Sequence, residues 1–175
     1  MTFTRPIVIT GFMGCGKTEV ARSLAKRLNL QMTDLDELIA QIEGRTAAQL
    51  IREEGEHSFR AIETKTLRSL LDGKTAGVIA LGGGAWIEAA NRALLERADG
   101  LSVWLDTPFE VCWNRIAASK EDRPLGRTEE QTRELYLKRL PVYELARIRV
   151  QTSGSDDPDK LASLITSDLN RLNFW

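Results

Sequence analysis

The feature that most constrains this chain is an eight-residue run, Gly11-Phe12-Met13-Gly14-Cys15-Gly16-Lys17-Thr18. It matches G-x-x-x-x-G-K-[ST] in full, and its flanks fit the match. Ile7-Val8-Ile9 before it reads as a buried strand. From Lys17 to Leu28, the residues Val20, Ala21, Leu24 and Leu28 recur on one helical face. In such a strand–loop–helix unit the glycines let backbone N–H groups converge on phosphate oxygens, and the lysine reaches the β- and γ-phosphates. The helix start adds its dipole, and the Thr18 hydroxyl suits Mg²⁺. The loop points to an α/β fold and a nucleoside triphosphate. Alone it does not separate a kinase from a GTP switch or an ATPase motor. The guanine-reading tetrapeptide N-K-x-D is absent, and 175 residues are few for a motor.

The rest of the chain continues the alternation. Gln31 to Asp34, Val78 to Leu81, Leu101 to Leu105 and Ile148 to Gln151 read as further strands. Helices are expected from about Ile87 to Arg97, Pro108 to Ala118, Glu129 to Leu145 and Pro158 to Leu172. Strand–helix alternation predicts a parallel sheet covered on both faces, with ligands at the carboxyl ends of its strands. The length fits one domain, residues 1–175, which buries roughly 70% of its unfolded surface without a disulfide or metal staple. Cys15 in the glycine-rich loop and Cys112 in an apolar helical stretch do not make a secreted disulfide framework. Met1 to Arg5 lack the apolar run of a signal peptide, and no stretch nears the ~20 apolar residues of a membrane span. A net charge of -1 argues against nucleic acid or an anionic membrane held by bulk charge. The expectation is a cytoplasmic monomer acting on small molecules.

Several further clusters carry chemistry. Asp34-Leu35-Asp36 follows the second strand, so one carboxylate would sit near Mg²⁺, through water, and the other would orient an acceptor hydroxyl. An aspartate there also suits a helix N-cap, but the strand end beside the phosphate loop favours the chemical role. Arg60 and Glu63 are three apart on a helix, so the pair would present a guanidinium fork to a carboxylate; the bland alternative is a solvated helix face. His57, the single histidine, reads as solvated. Gly82-Gly83-Gly84 ends a strand and allows close approach of main chain to a ligand, or makes a plain turn. Asp106 is an alternative metal-side acid, but it reads better as opening the turn at Pro108. Arg123-Pro124-Leu125, in the charged stretch Ser119 to Glu130, reads as a lid whose arginine neutralises phosphate charge and whose closure excludes water. Arg139-Leu140-Pro141-Val142-Tyr143 puts an arginine on a helix otherwise packed by Leu135 and Leu140.

Together these motifs resemble the shikimate kinase family over nearly the whole chain. The most discriminating block is Glu53 to Glu63, which fits E-x-G-E-x-x-F-R-x-x-E. The resemblance implies a nucleoside-monophosphate-kinase-type fold: a five-stranded parallel sheet ordered 2-3-1-4-5, helices on both faces, and a lid loop. It implies transfer of the γ-phosphoryl group of ATP to the 3-hydroxyl of shikimate, a step toward chorismate and the aromatic amino acids. By that likeness Gly14, Cys15, Gly16, Lys17, Thr18 and Glu19 cradle ATP, with Arg115 and Ser155 near the adenine. Thr18, with Asp34 through water, holds Mg²⁺. Lys17, Asp36 and Arg123 are catalytic, and Arg123 closes over the phosphates. Asp36, Phe59, Arg60, Gly82, Gly83 and Arg139 bind shikimate, and Glu63 orients Arg60. Residues 33–62 form the shikimate-binding segment and 116–130 the lid. Gly126 departs from the family, which often carries leucine there. A gluconate-type or nucleotide kinase of the same fold, or a nucleotide-binding paralogue without turnover, are the alternatives.

Overall fold

In the computed structural model of the chain, residues 5–73, 77–119 and 128–174 are described. The elements run β1 (Ile7–Thr10), α1 (Lys17–Leu28), β2 (Gln31–Asp34), α2 (Leu35–Glu43), α3 (Ala47–Glu54), α4 (Glu56–Asp72) and β3 (Gly77–Ala80). After a 3₁₀ turn at Ala85–Ile87 come α5 (Ala89–Arg97), β4 (Leu101–Asp106), α6 (Phe109–Ala118), α7 (Glu129–Tyr143), β5 (Ile148–Gln151) and α8 (Pro158–Arg171). All neighbouring strands pair in parallel, in the order β2-β3-β1-β4-β5.

The strand sequences account for that order. β1 is apolar and buried throughout, as a central strand covered by helices on both faces must be. Ile7, Val8 and Ile9 are each at most 1% exposed, and burying one such side chain contributes about 1.5–3 kcal/mol. β5 instead alternates: Ile148 and Val150 are buried, Arg149 and Gln151 exposed. This is the pattern of an edge strand, and the outward Arg149 discourages pairing with another chain. Because β1 lies between β3 and β4, the chain after β1 and the chain after β3 leave toward opposite edges. The switch point falls at the phosphate loop and the triple glycine.

The expected strands are found to within a residue or so, and the expected helices to within two at their ends. The principal addition lies between β2 and β3, where the sequence pattern gave only an indefinite helical stretch. Three helices stand there. α3 opens with a capping box in which Thr46 Oγ1 accepts from the Gln49 N–H and Gln49 Oε1 accepts from the Thr46 N–H. Arg45 clasps this segment by ion pairs to Glu53 (2.9 Å) and Glu54 (2.6 Å). The helix expected from Ile87 is a 3₁₀ turn followed by α5. The inward face of α7 is Thr132, Arg139 and Tyr143, rather than the partly buried Leu135 and Leu140. Arg123, Pro124 and Leu125 of the expected lid lie outside the described residues.

Candidate active site

The phosphate loop is held by bonds within itself and braced from behind by α6 and the strand ends. Gly14 has φ +78°, and a Cβ there would stand 2.8 Å from the Cys112 carbonyl, so only glycine fits. Lys17 Nζ donates to the carbonyls of Gly11 (3.1 Å) and Phe12 (2.9 Å), which fixes the ammonium over the loop it serves. The Cys15 N–H donates to the Phe12 carbonyl at 3.2 Å, and the Cys15 thiol is buried beneath the loop. Behind it, Thr107 Oγ1 reaches the Cys15 carbonyl (3.4 Å) and shares a 2.7 Å hydrogen bond with the Thr152 hydroxyl. Burial pushes the neighbouring Cys112 thiol up to about 12, so it stays protonated.

Asp34 does two things at once. Oδ1 accepts from the Asp36 and Glu37 N–H groups (3.0 and 3.3 Å), making Asp34 the N-cap of α2. Oδ2 accepts from the Thr18 hydroxyl at 2.7 Å. Capping and a place beside the phosphate loop are therefore compatible roles of one carboxylate. This hydroxyl–carboxylate pair is a hard oxygen set suited to Mg²⁺, an ion that takes one or two protein oxygens and keeps water and phosphate for the rest. Among the described residues there is no group of three or more His, Cys, Asp or Glu side chains that could hold a metal ion.

Facing the loop, four elements converge. Gly82-Gly83-Gly84 after β3 works by admitting side chains to its surface. A Cβ at Gly82 would lie 2.6 Å from Asp36 Oδ1, and one at Gly84 would lie 2.6 Å from Arg60 Cζ. Arg139 Nη1 donates to the Gly83 carbonyl at 3.2 Å. Arg60 Nη1 donates to both Glu63 oxygens (3.0 and 2.9 Å), and Nη2 to Glu56 (3.1 Å). Glu63 is wholly buried. Burial pushes its carboxyl up to about 7 against the pull of Arg60, with Asp36 and Glu88 adding to the rise. Arg60 stands 5.2 Å over the Phe59 ring, which is itself buried.

A cleft of about 910 Å³ joins the two sides. Of the residues expected from sequence, Gly14, Gly16, Lys17, Thr18, Glu19, Asp34, Asp36, Phe59, Arg60, Gly82, Gly83 and Arg139 line it. Cys15 lies under it. Arg115 is outside it, where Nη1 donates to the Gly14 carbonyl (3.0 Å) and Nη2 to the Gly154 carbonyl (2.6 Å), tying the phosphate loop to the turn that holds Ser155. Arg123 is outside the described residues. His57 is exposed. Asp106 is engaged by Arg149 at 2.9 and 2.6 Å and does not line the cleft. Sequence reasoning missed the apolar wall that α3 supplies through Ala47, Ala48 and Ile51. The Thr46–Gln49 capping signature was the signal available for that helix.

The strand order and the loop at its switch point place the chain among the P-loop phosphotransferases of nucleoside-monophosphate-kinase topology. Comparison with known proteins narrows this class. The family model described as shikimate kinase matches residues 13–170. A shikimate kinase of Geobacter sulfurreducens is 39% identical over 165 residues, 93% of this chain and 90% of that protein. The structure of the Acinetobacter baumannii shikimate kinase in complex with shikimate superposes with a TM-score of 0.88 at 35% identity, covering 97% of this chain and 95% of that one. A Sinorhizobium meliloti gluconokinase, at 17% identity and a TM-score of 0.60, shares the fold alone. The chain belongs to the shikimate kinase family.

Proposed function

We propose that this protein transfers the γ-phosphoryl group of ATP to the 3-hydroxyl of shikimate, giving ADP and 3-phosphoshikimate for chorismate and aromatic amino-acid synthesis. The observation that carries the reading is the convergence of Asp36, Arg60 and Arg139 on the triple glycine, across one cleft from Lys17. A small carboxylated polyol asks for this arrangement: two guanidinium groups for the carboxylate and an acid–base group at the reacting hydroxyl.

Asp36 accepts the proton as the shikimate oxygen attacks the γ-phosphorus and the bond to the ADP oxygen breaks. Gly14 to Glu19 hold the phosphates, and Lys17 neutralises charge that develops on the transferring group. Arg60, set by Glu63, and Arg139 grip the carboxylate, while Phe59, Gly82 and Gly83 shape the floor. Mg²⁺ bound at Thr18 and, through water, Asp34 would supply charge neutralisation on the phosphates. Arg115 and Ser155 flank the adenine, and Arg123 in a lid of residues 116–130 closes over the phosphates. Residues 33–62 act as the acceptor segment of a single domain, 1–175. No helix among the described residues is long and apolar enough to cross a membrane, and the protein is proposed to be a cytoplasmic monomer without nucleic-acid or membrane partners.

A coupled assay of ADP release with shikimate, gluconate or AMP as acceptor tests this reading. Turnover is expected with shikimate alone. Release with gluconate or AMP instead would place the enzyme on another acceptor, and none with any would make it a nucleotide-binding paralogue.

A further inference from the structure

Each carbonyl from Gly82 to Ile87 accepts a hydrogen bond, and that of Gly83 is held by α7. The Gly83 carbonyl accepts from Arg139 Nη1 and, at 2.5 Å, from the Tyr143 hydroxyl. Gly82 and Gly84 carbonyls accept the Ala85 and Ile87 N–H groups (both 3.0 Å). Ala85 is held by Asn91, and Trp86 and Ile87 by Arg92. The Trp86 indole N–H returns to α7 at the Val142 carbonyl, 3.0 Å away. The turn is thus bonded to the end of α7 twice, at residues on either side of Gly84.

The Gly83–Gly84 peptide occupies a special place in this scheme. Its oxygen fixes Arg139, and its Gly84 Cα is the surface against which the Arg60 guanidinium lies. Arg139 is therefore bonded to this peptide unit, and Arg60, whose fork is set by Glu63 and Glu56, packs against the same unit. Tyr143 is fully buried, and its ring stacks on Trp104 with centroids 6.2 Å apart. Trp104 is covered in turn by Arg149, which Asp106 holds. The phenol has no rotational freedom to spare, and burial raises its proton affinity so that it remains a donor.

Building on the function proposed above, we infer that Tyr143 is a positioning residue for the acceptor: its hydroxyl fixes the peptide that holds Arg139 and against which the Arg60 guanidinium packs. A buried tyrosine hydroxyl needs some partner in any protein. This one takes its partner from the acceptor wall, not from the core, and the consequence is selective. Losing it should disturb shikimate and spare ATP.

The test is Tyr143→Phe, which keeps the ring and removes one hydrogen bond. Shikimate Kd and KM are expected to rise about three- to tenfold, the range of a single net hydrogen bond, with ATP affinity and saturated kcat changing less than about twofold. In an Arg139→Lys background the same change should add less than about twofold, because the two residues act through one carbonyl. Equal losses for ATP and shikimate, no loss at all, or effects that multiply in full would each overturn the proposal. If Tyr143→Phe fails to fold, Trp86→Phe loosens the same contact of turn and helix and is judged by the same selectivity. A wild-type enzyme inactive on shikimate refutes the functional reading; an active wild type with an unselective Tyr143→Phe refutes only this one.

Discussion

The two sides of the cleft are made in different ways. On the phosphate side, Lys17 is held by carbonyls five and six residues away, and Cys15 by one three residues away. On the acceptor side, Arg139 and Tyr143 reach Gly83 across 56 and 60 residues, and Asp36 and Arg60 come from different helices. One side is a local conformation, the other a product of packing. The phosphate loop takes most of its geometry from its own strand and helix, with Thr107 and Arg115 bracing it from behind. The acceptor wall needs α2, α4, α7 and the turn after β3 all in place. Acceptor affinity is therefore the property that small changes in packing should erode first.

The largest effect expected from breaking either side is that of Lys17→Ala. Removing this charge should lower kcat by about a thousandfold or more, with the melting temperature nearly kept. A variant holding a tenth of wild-type kcat would mean that the loop's amides suffice without it. Asp36→Asn, on the opposite side, should lower kcat by about a hundredfold or more while weakening shikimate only modestly, since an amide still bonds a hydroxyl but takes no proton. Its neighbour Asp34→Asn should instead show a defect that shrinks as Mg²⁺ is raised. Kinetics of both variants across a Mg²⁺ series separate the roles, and rescue of Asp36→Asn alone would exchange them.

Arg60→Lys sharpens the comparison further. Lysine keeps the charge but cannot reproduce the fork that meets Glu63 and Glu56, so shikimate affinity should fall about tenfold and ATP affinity hardly at all. Titrations with equal losses would remove Arg60 from the acceptor wall. The smallest effect concerns Glu63. Its folded pKa of about 7 lies above the ordinary 4.5, so its proton adds stability that is full below about 4.5 and lost as pH rises through about 7. The melting temperature of the wild type, compared with Glu63→Gln, should therefore decline between pH 5 and pH 8. The most this can amount to is about 1.4 kcal/mol per pH unit within that window. Parallel melting curves for the two proteins across this range would mean that burial does not govern this carboxyl.

The same contrast explains what could be read from the sequence. Strand positions, phosphate loop and D-x-D pair were legible because each is written in adjacent residues and has a local physical signature; the order of the strands in the sheet is not local, and the resemblance supplied it. The resemblance supplied Arg139 as an acceptor residue; nothing in its helix pattern did, since the leucines beside it suggested a different inward face. Tyr143 stayed invisible as more than an aromatic because its partner is 60 residues away. Asp34 illustrates a different limit. Cap and metal-side carboxylate looked like competing explanations, yet one oxygen caps α2 while the other meets Thr18, so the two are compatible. The α3 wall was missed because Ala47–Glu54 is barely two turns long, too short a stretch for its apolar positions to be told from a loop or strand by period alone.

The burial of both thiols has a practical consequence. Cys15 is 4% exposed beneath the phosphate loop, and Cys112 is wholly enclosed on α6. An alkylating reagent reaches neither in the closed structure, so modification proceeds only through transient openings. With reclosure fast, the labelling rate of each sulfur is the free-thiol rate multiplied by the fraction of time its surroundings are open. Cys15 thus counts excursions of the phosphate loop, and Cys112 counts openings of α6, whose backbone at Cys112 abuts Gly14 of that loop. The chain carries two chemical clocks, one on the loop and one on the helix behind it, that need no engineered cysteine.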